Sequence, residues 1–266
     1  MRRIFISIKE QKLLYDLTGL QLWYVFYLSL SKIETFERAI FCQTPFYNYL
    51  PWHITSPIEK ISPEEQPLWK EFVKKIKIIY DKYPSFKMSK DFVNESIKFV
   101  FPMVLESEIY QKLNVEEKWF GCFRYTYSKE KKYVALHFKN AYVPKSPFSP
   151  ENMKKLFASL KDLILDIDKN HYEVEKIGCG SWLNNLPPFQ KLFPPSYIAS
   201  LTPTSPNDKR GNGWWGQFIS HKGVLHRKRA KILKTQKIFP YKRLQGECNF
   251  SEFREYIFNE IKNGSR

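Results

Sequence analysis

A stretch of closely spaced glycine, proline and aromatic residues at 176–200 constrains the fold of this chain more than any other part. Just before it, residues 172–177 alternate in the manner of a β-strand. Gly178 and Gly180 then remove side chains where this strand ends, so the backbone can turn sharply or something can approach it closely. Prolines bound the apolar segment 187–195, which suits a short helix. We therefore expect a strand that leads through a sharp corner into a short helix.

Polar groups and one large ring are concentrated at this corner, in Ser181, Trp182, Asn184 and Asn185. A polar, glycine-marked exit from the carboxyl end of a strand is where α/β and α+β sheets tend to bind ligands. A tight structural corner, with Trp182 as a core anchor and the polar residues as helix caps, accounts for the same pattern. The residues alone leave both interpretations open.

The positive charge of the chain is concentrated in one segment. Its 43 Lys and Arg against 27 Asp and Glu give a formal net charge of +16, which suits an acidic partner, although lysine on solvated helix faces is ordinary. Residues 207–243 hold eleven Lys or Arg and one acidic residue, Asp208. This local excess is harder to attribute to solvated helix faces.

Cysteine spacing limits the kinds of metal or redox site that the chain can form, and hydropathy limits where the protein can be located in the cell. The four cysteines, at 42, 122, 179 and 248, form no Cys-x-x-Cys pair, which argues against a zinc site or a redox dithiol and predicts no metal. No signal peptide is evident. The apolar run 13–30 is interrupted by Asp16 and leaves about a dozen clean positions, whereas a spanning helix needs roughly twenty. We expect a buried or interfacial helix there, no transmembrane segment, and a cytoplasmic protein.

Hydrophobic periodicity divides the chain into two predicted domains. Residues 1–115 show helical spacing, with Pro102 expected to kink or close one helix and a further short helix over 104–113. Residues 116–266 predict an α+β domain, a mixed β-sheet flanked by helices, which begins with a hairpin at 119–127 and 132–140. Further strands are predicted at 197–201, 213–219 and 243–250, and helices at 149–168, 224–236 and 251–261.

Three features of the second domain resemble the GNAT-like C-terminal domain of bacterial acyltransferases that carry a helical N-terminal domain. The first is the hairpin, with Phe123-Arg124-Tyr125 on one strand and residues 134–138 on the other. The second is the helix at 149–168. The third is Ser181-Trp182-Leu183 followed by residues 192–198. The resemblance covers about residues 119–245, and the helical first 115 residues are compatible with it.

The resemblance implies transfer of an acyl group from a thioester, acyl-CoA or an acyl-carrier protein, to an amine or similar small acceptor. In that fold the donor lies across splayed central strands, and its pyrophosphate meets N–H groups at a helix N-terminus. A base removes the proton of the amine, and backbone donors hold the oxyanion. The usual Gln/Arg-x-x-Gly-x-Gly/Ala phosphate loop is absent here, which favours an acidic carrier protein held by the basic helix at 224–236.

Candidate catalytic residues follow from the resemblance. His137 suits a general base, since its unperturbed pKa is near 6.5, although a hydrogen-bonded sheet histidine is the alternative. Cys179 suits an acyl-enzyme nucleophile or, alternatively, a small packing residue. Ser181, Asn184 and Asn185 suit substrate orientation or oxyanion donation, or else helix capping.

Candidate binding residues complete the expected site. They lie on the hairpin, at the corner and in the basic segment: Arg124, Trp182, Trp214, Trp215, Gln217, Arg227 and Arg229. The tryptophans and Gln217 suit an acyl pocket, or plain core. The arginines suit an acidic donor.

Two other classes of function fit the residues. A nucleic-acid-binding protein could use the 207–243 segment, where Trp214, Trp215 and Tyr241 are interleaved with the cations for base stacking. No zinc finger, RNA-recognition signature or helix-turn-helix pattern is visible. A non-catalytic adaptor on the same scaffold is the third class, because fold does not fix function.

Overall fold

Helices form the first part of the chain and a mixed sheet follows, in a computed structural model that describes residues 6–50, 65–114, 117–170, 173–207, 209 and 211–264. The α+β class with a helical N-terminal part is therefore confirmed. Within the described residues the helices are α1 (Ile8–Leu30), α2 (Phe36–Gln43), α3 (Pro67–Tyr80), α4 (Ser89–Asn114), α5 (Pro150–Asn170), α6 (Pro187–Gln190), α7 (Pro195–Ala199), α8 (Asn212–Trp215), α9 (Arg227–Gln236) and α10 (Phe250–Gly264). The strands are β1 (Phe123–Ser128), β2 (Tyr133–Phe138), β3 (Lys176–Ser181), β4 (Thr202–Pro203) and β5 (Leu244–Asn249).

The chain clusters into two compact units. The first unit contains Met1–Val115, Pro206–Phe218 and Val224–Ile238, and the second contains Glu116–Ser205, Ile219–Gly223 and Phe239–Arg266. Most of the basic segment, including α8 and α9, thus belongs to the helical unit. Asp208 and Arg210 of that segment lie outside the described residues.

Local sequence signals explain how α1 begins and why it is buried. The hydroxyl of Ser7 accepts from the N–H of Glu10, and the Glu10 carboxylate accepts from the N–H of Ser7, which is a capping box. The helix is then almost continuously buried from Leu17 to Leu28, as its apolar run predicts. Among the helices described, none combines the length and the apolar character needed to cross a membrane.

One helix passes through Pro102, where the sequence predicts either a kink or an end, and a separate helix after it. Pro102 lies inside α4, so the expected break into two helices is wrong. Pro102 and Lys98 are both exposed, and water can therefore satisfy the Lys98 carbonyl that has lost its N–H partner. Fully buried rings such as Phe26 of α1 and Phe92 of α4, whose centroids are 4.6 Å apart, build an aromatic core in the first unit.

The sheet of the second unit is mixed and has the strand order β1-β2-β3-β5-β4. β1 and β2 form the predicted antiparallel hairpin, and α5 carries the chain from β2 to β3, which are parallel. Ser149 begins α5 as predicted, since its hydroxyl accepts from the N–H of Asn152 at 3.4 Å. The apolar stripes of α5 and α10 pack against Val134, Ile177 and Cys248 on one face of the sheet.

Pairing between the two parallel strands ends early. Residues 133–135 of β2 pair with 176–178 of β3, and the pairing does not continue into 136–138 and 179–181. By contrast, β1 pairs with β2, and β3 with β5, over six residues each. Residues 136–138 and 179–181 are therefore not paired with each other, although β1 holds the other edge of β2 and β5 holds the other edge of β3. We call these two segments the β2–β3 split.

Two predicted strands are helices. Residues 197–201 follow a proline-initiated turn and fall largely in α7, and 213–219 fall in α8 and the 3-10 helix Gly216–Phe218. Short apolar runs do not distinguish a buried strand from a buried helix by periodicity alone. In the segment 213–219, Trp215 and Phe218 lie three residues apart and their ring centroids are 5.4 Å apart, which is a helical spacing. The glycines at 213 and 216 obscured this spacing in the sequence.

The glycines of β3 give a first test of the fold. A Cβ atom on Gly178 would collide with the backbone carbonyl of Gly246, whereas the atoms nearest to one on Gly180 are the ends of the flexible side chains of Arg243 and Gln245. We expect Gly178→Ala to lower the free energy of unfolding by about 1–3 kcal/mol and Gly180→Ala by less than about 1 kcal/mol. Urea denaturation followed by circular dichroism measures both. Equal losses in the two variants would contradict the packing described for β3.

Candidate functional site

The sheet of the second unit has an apolar face and a more polar face. Because side chains alternate along a strand, Val134, Leu136 and Ile177 face α5 and α10, whereas Tyr133 and His137 lie on the opposite face. Of the split residues 136–138, His137 has its side chain on this second face. This face is the surface on which a site at the split would be built.

The glycines of β3 allow a close approach to its backbone, and the groups that make this approach are side chains of the protein itself. Tyr133 and Arg243 lie over Gly178 and Gly180, where a Cβ atom would collide with each of them. The amide of Gln245 donates to the Tyr133 hydroxyl at 3.1 Å, and Nε of Arg243 donates to the Gly180 carbonyl at 3.2 Å. Burial raises the pKa of Tyr133 to about 12, so its hydroxyl is neutral. These glycines are thus needed for internal packing.

His137 lies beside the split in a polar cluster on the hairpin. It pairs directly across the hairpin with Arg124, and its Nε2 lies 3.1 Å from the hydroxyl of Thr126. Burial, and then the positive charge of Arg124, lower the pKa of His137, while Glu117 acts in the opposite direction. The imidazole is therefore neutral near pH 7, which is the form that accepts a proton.

Arg124 completes this cluster. Its guanidinium forms an ion pair with Glu117 at 3.1 Å and lies 5.5 Å from the ring centre of Trp119. Its Nε is buried and has no hydrogen-bond partner among the residues that the structure describes. A buried N–H group without a partner is unusual, and it can donate to a ligand that enters beside His137.

The polar residues of the corner point inward. The hydroxyl of Ser181 accepts from the N–H of Leu183 at 3.1 Å and caps the 3-10 helix Trp182–Asn185. The Asn184 amide donates to the carbonyls of Cys179 and Leu244, both at 2.9 Å, and accepts from the Tyr197 hydroxyl at 3.0 Å. These contacts tie β3, β5 and α7 together.

Asn185 and Trp182 also have internal partners. The amide of Asn185 donates to the carbonyls of Trp182 and Lys242, at 2.7 and 2.8 Å. The Trp182 ring is buried and stacks on Tyr241 with centroids 5.7 Å apart. The roles in substrate orientation that the sequence predicts for these residues would therefore require them to exchange internal contacts for a ligand.

Cys179 is enclosed in the core. It is 4% exposed, and burial raises the pKa of its thiol to about 12. A nucleophilic cysteine has a lowered pKa and is accessible, so the surroundings of Cys179 are those of a packing residue. From 177 to 184, only Gly180 is not buried. An acyl-enzyme at Cys179 stays a prediction that needs this corner to open.

The remaining predicted binding residues belong to the first unit. Trp215 is completely buried, and its indole N–H donates to the Gln43 carbonyl at 2.9 Å. The Gln217 amide donates to the carbonyl of Trp214 at 2.9 Å. For base stacking or for an acyl pocket, the rings of Trp214 and Trp215 would thus have to leave the core in which they lie.

The cations of the basic segment serve different purposes. Lys209 is 9% exposed, and its ammonium donates to the Gln43 side chain at 2.7 Å and to the Pro206 carbonyl at 2.6 Å. The Arg229 guanidinium donates to the Gln217 carbonyl at 2.8 Å. Arg227, by contrast, lines a cleft of the first unit. The structure thus brings Arg124 and His137 together and puts Arg227 and Arg229 in the other unit.

Sequence reasoning missed Thr126 and Tyr133. Both lie on the hairpin, and their position beside His137 and Gly178 depends on strand register. The turn at 129–132 fixes that register. A hairpin built on this turn pairs Arg124 with His137 and puts Thr126 at the diagonal position next to the histidine, so the contact could have been predicted. Tyr133 could not have been found in this way, because its contact with Gly178 depends on a distant strand.

The chain matches no protein-family model, no curated protein and no solved structure at a significant level. Among the described residues there is also no group of three or more His, Cys, Asp or Glu side chains that could hold a metal ion. Function can therefore be inferred only from the geometry of the β2–β3 split and of the hairpin cluster beside it.

The lowered pKa of His137 predicts a pH-dependent contribution to stability. The unfolded chain binds this proton with a pKa near 6.5, and the folded protein binds it less readily, so the unfolded state carries more protons just below that value. Stability should therefore fall as the pH drops below about 6.5, and less so in His137→Gln. Urea unfolding at several pH values, with NMR titration of the imidazole, measures this. A folded-state pKa at or above 6.5 would contradict the described environment.

Proposed function

We propose that the second unit is a GNAT-like acyltransferase, which moves an acyl group from a thioester donor to an amine or similar small acceptor. The observation that carries the proposal is the β2–β3 split. Two parallel strands pair over three residues and then part, and splayed central strands are where the donor lies in the fold that this sequence resembles. Backbone N–H and C=O groups of β2 at 136–138, which no longer meet β3, can bind the amides of a pantetheine arm.

His137 is the proposed general base. It lies next to the split, on β2, and its lowered pKa keeps the imidazole neutral at pH 7. It accepts the proton of the acceptor amine, either directly or through one water. The amine nitrogen attacks the thioester carbonyl, the C–N bond forms, and the C–S bond breaks. The thiol leaves with a proton.

Arg124 is proposed to bind the donor or the acceptor. Its buried Nε lacks a partner among the described residues, and its positive charge stabilises negative charge beside His137. Direct attack by the amine needs no covalent enzyme intermediate, which is consistent with the burial of Cys179. The chemistry as proposed requires no metal ion.

The donor is acyl-CoA or an acyl-carrier protein. The absence of the usual phosphate loop from the sequence favours the carrier protein, which is strongly acidic. Exposed cations of α9, Lys228, Lys231 and Lys234, are available to such a partner. We also propose a cytoplasmic location, which suits free thiols and thioester donors.

Acyl transfer is tested with the purified protein, a panel of acyl-CoA and acyl-carrier-protein thioesters, and primary amines. Thiol release is the readout. We expect His137→Gln to lower kcat about 10²–10⁴-fold, because a positioned base contributes that much, while donor binding is kept. The exposed His221→Gln is the matched control, and we expect it to have wild-type activity. Ser181→Ala tests the corner in the same assay.

Three other outcomes separate the alternatives. Donor binding in a thermal shift assay without thiol release from any thioester would indicate a non-catalytic adaptor. No donor binding, with affinity for single-stranded nucleic acid that falls steeply between low and moderate salt, would indicate the nucleic-acid-binding protein instead. Full activity of His137→Gln would remove the histidine from the mechanism while leaving acyl transfer itself in place.

A further inference from the structure

The first unit contains a cleft between α1, α4 and the basic helix α9. Its volume is about 650 Å³. Sites for small molecules in proteins commonly measure roughly 300–1,000 Å³. The cleft is therefore of a size for a small molecule.

The floor of the cleft is apolar. Leu20 and Trp23 of α1 and Val93 and Ile97 of α4 line it. Gly19 lies between them, and a Cβ atom on it would be in ordinary contact, at 3.6 Å, with Val93 and Ile97. A side chain larger than a methyl group at this position would therefore meet α4 or extend into the cleft. The apolar floor suits a hydrocarbon chain.

The rim of the cleft is positively charged. Arg227, Lys231 and Lys234 of α9 share one helix face, at spacings of four and three residues, and Lys90 of α4 also lines the cleft. Of the described residues that line it, one is acidic, Asp16, and that carboxylate has its own partner in Lys12 at 3.4 Å. The rim therefore favours a negatively charged group.

The sequence of α9 makes this charge costly when no anion is present. Its first turn contains three cations, at 227–229, and no acid, although the N-terminus of a helix carries the positive end of its dipole. Like charges at Arg227 and Lys231 also repel each other along one face. An anion at the rim would offset both effects, since it would interact with the dipole and with the side chains.

We propose that this cleft binds a single-chain amphiphile, with an anionic head at the α9 rim and an apolar tail along the floor. The cleft volume of about 650 Å³ suits a chain of medium length. The head is a carboxylate or a phosphate, both of which cations of this kind bind. This inference does not depend on acyl transfer by the second unit.

Isothermal titration with decanoate and decyl phosphate, below their micelle concentrations, tests the proposal. We expect wild-type protein to bind both, and to bind decanol and the cationic decyltrimethylammonium at least tenfold more weakly. Butyrate, which has the head without the long tail, should also bind at least tenfold more weakly. Comparing carboxylate with phosphate identifies the preferred head. Decanol that binds as tightly as decanoate would overturn the role of the rim.

Two variants test the head and tail sites separately. Lys231→Glu/Lys234→Glu should weaken decanoate binding at least tenfold, and Gly19→Leu should abolish it by filling the floor. Leu is favoured over Gly inside a helix, and circular dichroism checks that the fold is kept. Lys154→Glu/Lys169→Glu, at two exposed lysines of α5, makes the same change in net charge and should bind decanoate like wild type.

Two results would overturn the proposed amphiphile site. Decanoate affinity that is unchanged in Gly19→Leu would overturn the cleft as the site. Failure of both amphiphiles to bind, together with binding of an acidic carrier protein that Lys231→Glu/Lys234→Glu abolishes, would assign the α9 face to a protein partner instead. The acyl-CoA arm of the transfer assay does not involve these lysines and is therefore judged separately.

Discussion

The centre of the sheet depends on positions that carry no side chain. Gly178 and Gly180 of β3 leave room for Tyr133 and Arg243 on the polar face. On the other face Gly246 of β5 performs the same function, because a Cβ atom there would stand 2.7 Å from the ring of Tyr197. Aromatic and charged side chains can thus lie directly on the backbone of the two central strands. β3 continues through both glycines to Ser181, so the expectation that the strand ends at Gly178 is wrong.

Buried side chains hold the corner to the sheet. The Cys179 carbonyl accepts from the Asn184 amide at 2.9 Å and from the Tyr197 hydroxyl at 3.3 Å, and the same amide donates to the Leu244 carbonyl of β5 at 2.9 Å. These contacts hold the end of β3 against β5. On its other edge β3 separates from β2 next to a neutral, half-buried histidine, His137.

Much of the fold could be predicted from the sequence. The amphipathic stripe of α5 and the alternation of the hairpin are local patterns, and both elements formed where they were expected. Residues 197–201 and 213–219 were assigned wrongly because short apolar runs carry no reliable period. The return of α9 to the helical unit depends on contacts across more than a hundred residues, which no local pattern encodes.

The candidate site was harder to predict than the fold. Asn184 and Ser181 have the composition of a binding corner, but a sequence does not reveal whether an amide meets a ligand or its own backbone. In this protein their partners are internal. His137 was found because strand alternation put it on the polar face. Its relation to Thr126 depends on register, and the lowered pKa depends on burial, neither of which composition conveys.

The separation of the two parallel strands is the claim on which the functional account rests. The most direct measurement is a NOESY experiment on isotope-labelled protein, which reports the distances between backbone protons of neighbouring strands. We predict interstrand cross-peaks between residues 133–135 and 176–178, and none between 136–138 and 179–181. A continuous ladder of cross-peaks through Phe138 and Ser181 would contradict the split, and with it the proposed donor site.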